Sequence, residues 1–312
     1  MIAITGYNGF VGKELLKQLP ERECLLLGRQ APKADYKFCE FDLSTISSVN
    51  LTSSLDSVST MIHIAARVHV MNDKVNDPLA EFRTVNTQGT MNLAKQAADA
   101  GVRRFIYISS IKVNGERTDK DNVFKFDDNH NPQDPYGISK SEAEIALLEL
   151  GQTTGMEIVI IRPPLVYGEG VKANFAALLN LVGKGLPLPF RCVSQNKRSM
   201  VSVYNLVDLI KTCIDHPNAA NQVFLASDDD DLSTAQMIAL MAKVQGKKNL
   251  ALPVPVWCFN FLGKLLNKSG VIDRLTGSLQ LDINHTKNTL IWKPPYSVEH
   301  GFKLAAKSTT KK

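Results

Sequence analysis

Tyr136 and Lys140 stand four residues apart in Tyr-Gly-Ile-Ser-Lys. On a helix, that spacing puts both side chains on one face. A phenol with its ordinary pKa of ~10 is a poor acid–base group at neutral pH, and a neighbouring ammonium stabilises its phenolate. Ser109 and Ser110 close an apolar run, Arg104–Ser109, that precedes this segment. Ser110 is placed to hydrogen-bond both the tyrosine and a substrate oxygen. Serine, tyrosine and lysine together suit proton transfer at a hydroxyl or carbonyl. A second group sits at the start of the chain, where Gly6, Gly9 and Gly12 follow the apolar run Ile2–Thr5. Glycines spaced in this way between a strand and a helix give a tight turn, a close backbone approach to a pyrophosphate and close helix packing. The pairing predicts hydride chemistry on a dinucleotide.

The elements that must position these residues alternate. Strands are expected at Ile2–Thr5, Cys24–Leu27, Lys37–Phe41, Thr60–Ala65, Arg104–Ser109 and Glu157–Arg162. Helical apolar spacing lies between them, at Val11, Leu15, Leu16 and Leu19 and over Leu79–Ala100. That rhythm predicts an α/β fold, a Rossmann-like doubly wound parallel sheet with its ligand at the carboxyl ends of the strands. After Pro163-Pro164, helical stretches dominate (Ala173–Lys184, Ser233–Gln245, Val256–Asn267), with short strands at Met200–Val203 and Gln222–Ala226. We therefore expect residues 1–162 and about 203–226 to form the dinucleotide domain. Residues 163–202 and 227–306 form a smaller, discontinuous, mostly helical substrate lobe, and 307–312 a basic tail. The acidic run Asp228–Asp231 reads as a solvated loop.

Composition narrows the classes. The 312 residues are 44% hydrophobic and 21% charged, which excludes disorder, a collagen-like repeat and a disulfide scaffold. A net charge of +5 without a basic, aromatic-laced stripe argues against nucleic acid as the ligand. Five scattered cysteines with no Cys-x-x-Cys pair predict reduced thiols and no metal site. We expect no signal peptide ahead of Ile2, a cytoplasmic protein and no integral membrane segment. Pro253, Pro255, Asn260 and Lys264 break the apolar stretch Leu250–Leu266, which reads as a packing helix with membrane-surface contact as its alternative.

NAD sites usually carry an acid at the end of the second strand. Here the sequence is Leu27-Gly28-Arg29. Arg29 suits a 2′-phosphate, so NADP is expected in preference to NAD. Asp42, with Leu43 beside it, is a candidate adenine contact.

The chain resembles the extended short-chain dehydrogenase/reductase family, in the NAD-dependent epimerase/dehydratase branch that acts on nucleotide sugars. The resemblance rests on Thr5–Gly12, His63–Ala66, Val85–Thr90, Ser109–Gly115, Tyr136 with Lys140, Arg162–Gly168 and Arg198–Asp208. It implies that Ser110, Tyr136 and Lys140 are catalytic. It also implies that Asn8, Phe10, Val11, His63, Ala65, Ala66, Arg67, Pro163 and Val166 line the cofactor, and that Asn86 braces the central helix. Lys112, Asn174, Arg198 and Arg274 would serve the substrate, the last three at the diphosphate and uridine of a UDP-sugar; paired guanidinium groups suit phosphate oxygens. Members often dimerise through helices corresponding to 79–100 and 136–150, so a homodimer is implied.

Dehydratases of the branch carry an Asp-Glu pair after the catalytic serine or threonine. Ile111 and Lys112 stand there, and no acid adjoins Lys112. Arg67-Val68-His69-Val70 and Ile111–Gly115 resemble reductases that form UDP-N-acetylquinovosamine, and Asn114 replaces a tyrosine common among epimerase relatives. The expected activity is 4-ketoreduction of a UDP-4-keto-6-deoxy-N-acetylhexosamine, supplying surface polysaccharide. The alternatives are a UDP-sugar 4-epimerase, acting on UDP-glucose or UDP-N-acetylglucosamine, and a non-catalytic dinucleotide-binding protein.

Overall fold

The computed structural model describes residues 1–46, 49–68, 77–119, 122–265 and 269–307. Seven parallel strands form the main sheet: β1 (Ile2–Thr5), β2 (Cys24–Gly28), β3 (Lys37–Glu40), β4 (Thr60–His63), β5 (Arg104–Ile108), β6 (Glu157–Arg162) and, after a short pair β7 (Leu165–Tyr167) and β8 (Met200–Ser202), β9 (Gln222–Leu225). Their order is β3-β2-β1-β4-β5-β6-β9. The chain reverses direction across the sheet between β1 and β4, where Thr5 pairs in register with His63. Ligands of such sheets bind beyond the carboxyl ends at this switch point.

Near-continuous apolar runs make the inner strands because both faces are buried, whereas the edge strand β3 is partly exposed. Ile2, Ile4, Leu26, Ile106 and Ile108 point to one core, with Leu206, Leu209 and Ile210. Ala3, Leu25, Leu27, Phe105 and Tyr107 point to the other, with Leu93, Ala97 and Leu147. Each fully buried leucine or isoleucine contributes ~1.5–3 kcal/mol. The helices packed around the sheet include α1 (Phe10–Leu16), α2 (Thr52–Leu55), α3 (Pro78–Phe82), α4 (Thr90–Asp99), α5 (Pro135–Thr154) and, after α6 (Ala173–Gly183), which packs away from the sheet, α7 (Val203–Asp215). Asp134 caps α5 by accepting from the Gly137 N–H at 2.7 Å, and Pro135 fills its first turn.

A third core joins α6 to α8 (Thr234–Val244), α9 (Val256–Leu265), α10 (Ser269–Thr276) and, past α11 (Asn284–Leu290), α12 (Val298–Lys307). Phe175, Leu179, Met241 and Phe302 fill it, with Tyr167 from β7.

Four expectations change. The helix over Leu79–Ala100 is interrupted by a π-helical segment, Arg83–Gly89. Strand β7 was not foreseen. Asp228–Asp231 is solvated only in part: Asp229 and Asp230 are exposed, but Asp228 is buried and accepts from Tyr167 Oη at 2.5 Å, the Ser202 N–H at 2.8 Å and Asn205 Nδ2 at 2.7 Å. Burial still raises its pKa. Asp231 accepts from Ser199 Oγ and from Gln280 Nε2 at 2.8 Å. Lys307 belongs to α12 rather than to a tail, and residues 308–312 lie outside the described residues, as do His69, Val70 and the end of the expected helix at 266–267.

Candidate active site

A cleft of about 830 Å³ runs along the carboxyl edge of the sheet. Its walls include the segments that leave β1 to β6, so the switch point lies within it. At one end the loop after β1 brings Gly6, Asn8, Gly9, Phe10 and Val11 to the surface. Gly6 has φ +71°, and a Cβ there would stand 2.6 Å from the Ala65 nitrogen. A Cβ on Gly12 would meet the Gly6 carbonyl at 2.3 Å, so Gly12 packs α1 onto the loop without itself lining the cleft. Gly9 caps α1 with no side-chain hydrogen bond. The first N–H groups of a helix lack intrahelical acceptors, and here they open onto the cleft. This cradle fits the pyrophosphate of a dinucleotide.

At the other end, Ser110, Tyr136 and Lys140 line the same cleft. Lys140 lies beneath the tyrosine, its Nζ donating to the Ile108 carbonyl at 2.9 Å and sitting 4.4 Å from the Tyr107 ring centroid. It is 6.0 Å from the Tyr136 ring centroid. Burial pulls the Lys140 pKa down to about 7, against the pull of the Glu144 carboxylate. Burial pushes the Tyr136 phenol up to about 12, Asp134 adds to that, and a hydrogen bond with Ser110 opposes it. Burial therefore dominates, and in the protein alone Tyr136 is held as a protonated phenol; action as a base requires the phenolate, which a protonated Lys140 would favour. Ser109 Oγ is buried in the wall with no hydrogen-bond partner.

Charged and polar groups behind the wall hold it in place. Arg162 and Glu144 are only 2% and 1% exposed and pair at 2.6–3.1 Å. Arg162 also donates to Asn114 Oδ1 at 2.9 Å and to His130 Nε2 at 2.7 Å. An arginine only donates, so His130 carries its proton on Nδ1 and gives it to Ser141 Oγ at 2.8 Å. Asn86, inside the π-helical segment, accepts from the Arg67 N–H at 2.8 Å and donates to the Arg67 carbonyl and to Ser139 Oγ, both at 3.0 Å. It ties the loop after β4 to the helix bearing Tyr136, as a brace does. Such π insertions often mark functional sites.

The model of the NAD dependent epimerase/dehydratase family matches residues 2–226. The chain belongs to this family. It is an enzyme by that membership, and its relatives agree. It is 54% identical over 98% of its length to a UDP-glucose 4-epimerase of Vibrio cholerae, covering 94% of that protein. It is 30% identical to the N-acetyl-alpha-D-glucosaminyl-diphospho-ditrans,octacis-undecaprenol 4-epimerase of Escherichia coli O157:H7, over 86% of this chain and 81% of that one. Its fold is that of a UDP-glucuronic acid 4-epimerase from Bacillus cereus crystallised with NAD, with a TM-score of 0.78 at 18% identity, covering 99% of this chain and 98% of that one.

The other expected site residues fall into two groups. Arg29, Asp42, Leu43, Ala65, Ala66, Arg67, Pro163 and Val166 line the cleft. Asp42 accepts from the Ser44 N–H at 2.9 Å and Ser44 Oγ at 2.8 Å, which hold its pKa down, with help from Arg29. His63, Lys112, Asn174, Arg198 and Arg274 do not line it. His63 is buried between Thr5 Oγ1 at 2.6 Å and Thr90 Oγ1 at 2.9 Å. Thr5 Oγ1 accepts from the N–H groups of Ile64 and Ala65, so its own proton goes to His63 Nδ1, and Nε2 donates to Thr90. Burial, with Lys140, lowers the His63 pKa to about 3, so it fixes the loop after β4 as a neutral ring instead of touching a cofactor.

Lys112 does have acidic neighbours: it pairs with Glu116 at 2.8 Å and with Asp134. Burial depresses its pKa, but these carboxylates outweigh it and hold the pKa above the ordinary lysine value. Asn174 is exposed on the first turn of α6. Arg198 donates to the Gly277 carbonyl at 3.3 Å and lies close to Arg274; burial and then that second cation lower its pKa. Sequence reasoning missed Tyr7 in the cleft wall, whose hydroxyl donates to the Gln30 carbonyl, and Glu81, 4.0 Å from Arg67. Tyr7 stood within the glycine motif, whereas nothing local marked Glu81.

Proposed function

We propose that the chain is a UDP-sugar 4-epimerase that works with NAD in the cytoplasm. The observation that carries this reading is the 54% identity to the Vibrio cholerae epimerase across nearly the whole chain, the substrate lobe included. The cleft supports it, because one glycine cradle and one Ser110–Tyr136–Lys140 group lie within one continuous space. This reading replaces 4-ketoreduction as the leading expectation.

A bound nicotinamide supplies the hydride acceptor and donor at C4. Tyr136 exchanges the proton of the 4-hydroxyl, removing it as C4 is oxidised and returning it as C4 is reduced. Ser110 holds the same oxygen. Lys140 supplies positive charge beneath the phenol when protonated, and its pKa of about 7 lets it change charge near neutrality. Arg198 and Arg274 would meet the diphosphate, which UDP-glucose and a diphospho-polyprenol sugar both contain. Their mutual repulsion is relieved when an anion binds between them.

A second reading keeps the same residues and makes the reaction a net 4-ketoreduction with NADPH. Arg29 favours it, since it lines the cleft and the segment leaving β2 offers no acid for a ribose 2′-hydroxyl. One experiment separates the two. The protein is given UDP-glucose or UDP-N-acetylglucosamine without added cofactor, and separately UDP-4-keto-6-deoxy-N-acetylglucosamine with NADPH. Products are identified by NMR and NADPH is followed by absorbance. The C4 epimer should form without net NADPH change, and Tyr136→Phe should slow it ~10²–10⁴-fold with an unchanged circular dichroism spectrum. Stoichiometric NADPH loss to a 4-hydroxy-6-deoxy product, with no epimer from either hexose, would overturn epimerisation in favour of reduction.

A further inference from the structure

The substrate lobe has a surface that catalysis leaves unused. Helix α9 buries Phe259 and Gly263, and Phe259 stacks on Phe190 with ring centroids 5.4 Å apart. Its outer face presents Trp257, Phe261 and Leu265, one helical turn apart and 69%, 63% and 70% exposed. A helix on an ordinary water-facing surface puts polar residues there. The apolar face continues onto neighbouring segments. Val256, Leu252, Leu250 and Leu186 are also exposed. Segments 186–191 and 250–252 are tied by the Leu252 N–H to the Leu188 carbonyl at 2.7 Å and the Arg191 N–H to the Leu252 carbonyl at 3.1 Å. Leu186, Lys248 and Leu250 share one shallow depression.

The chain spans that build this face carry charge of one sign. Between Glu169 and Asp208, and again between Asp231 and Asp273, the sequence contains no Asp or Glu and ten Lys or Arg. The rest of the chain carries 26 cations against 31 anions, so the positive charge of the protein is concentrated in these two spans. Lys243 is paired with Glu299, while Lys184, Lys247, Lys248 and Lys264 are exposed beside the apolar face.

We propose that the outer face of α9 and the adjoining 186 and 250–252 segments form a docking surface for an anionic lipid bilayer. Interfacial tryptophan and phenylalanine enter the headgroup boundary while lysines meet the lipid phosphates. No helix among the described residues is long and apolar enough to cross a membrane, so this is attachment at the surface. A second copy suits the face less well, because a two-fold contact would bring its lysines against their own counterparts. Helix α9 packs on α10, which carries Arg274, so docking would set the substrate lobe close to the membrane. The inference does not depend on which C4 reaction the cleft performs.

The test is flotation of the full chain with vesicles of phosphatidylglycerol mixed with phosphatidylcholine, against phosphatidylcholine alone. Trp257 is the probe, because the other tryptophan, Trp292, is buried. The protein should float with the anionic vesicles at low salt and its emission should shift to the blue. Trp257→Ser with Phe261→Ser should weaken flotation by about tenfold or more. Lys247→Gln with Lys248→Gln should weaken it by about fivefold per lysine, on anionic vesicles only. All variants should keep the wild-type melting temperature, since these side chains are exposed. Absence of wild-type binding to anionic vesicles would overturn the proposal, as would equal binding by the serine variant. So would light scattering that shows a wild-type oligomer, unbound by vesicles, which the serine variant dissociates; the face would then be a contact between copies.

Discussion

The sheet side of the cleft and the helical lobe beside it are held by different physics. On the sheet side, ionisable groups are buried and each is matched by a fixed partner: Arg162 by Glu144, His63 by two threonines, Lys140 by the Ile108 carbonyl. On the lobe side, cations predominate along the chain, many of them exposed, and Arg198 and Arg274 stand near each other as like charges. The first arrangement fixes the reacting groups before anything binds. The second is a field that an anion completes. Preorganised reacting groups beside an adjustable cationic lobe would suit the proposed epimerisation, in which the sugar must present both faces of C4 to one hydride position.

The largest effect that sharpens this contrast is at the buried pair. Glu144→Gln keeps the shape of the side chain and leaves the Arg162 charge without its carboxylate. Removing one member of a buried pair costs about 3–5 kcal/mol. Chemical denaturation of the variant should show a loss of that order. A loss under about 1 kcal/mol would mean that Asn114, the Phe126 carbonyl and His130 satisfy Arg162 unaided, and the sheet side would be less tightly specified than its geometry implies.

A middle-sized effect concerns pH. His63 has a pKa of about 3 in the folded chain and ~6.5 unfolded. The stability that its neutral form contributes is fully present above the unfolded value and is lost as pH falls from there towards about 3, because the unfolded state binds the proton first. His63→Asn should flatten the fall in stability between neutral pH and pH ~4.5, measured by denaturant midpoints. An unchanged slope would assign the acid sensitivity to other groups.

How far the sequence disclosed these arrangements follows from the range of the interactions. Strands β1, β2, β4, β5 and β6 were readable because each is a run of apolar residues, and the glycine loop and Tyr136 with Lys140 because each is a local spacing. The π-helical turn was hidden: its extra residue disturbs a 3.6 period only slightly within a long apolar-patterned helix. Strand β7 has three residues, one exposed, one half-buried and one buried, too few to show alternation. Asp228 looked like part of a solvated acidic run, since its partners Tyr167, Ser202 and Asn205 lie 61, 26 and 23 positions away. Glu116, four residues beyond Lys112, could have been read as a pairing candidate, whereas Asp134 is 22 away. His63 was assigned to the cofactor by family position, and burial between two threonines gives it another task.

The smallest effect tests the other half of the contrast. Lys243 and Glu299 join α8 to α12 in the lobe with N···O 2.7 Å, a shorter contact than several of those around Arg162. Distance alone would rank this pair highly. Its side chains are 65% and 53% exposed, so water screens the attraction and both chains lose rotamer freedom to hold it. Lys243→Ala should therefore change stability by less than about 0.5 kcal/mol, and added salt should shrink that difference further. A loss nearer the Glu144→Gln value would show that the lobe, too, is fixed by specific ion pairs, and that its exposed cations are not free to reorganise around a diphosphate. Near-equality with wild type would leave burial, and not the number or length of ion pairs, as what separates the rigid sheet side from the adjustable lobe.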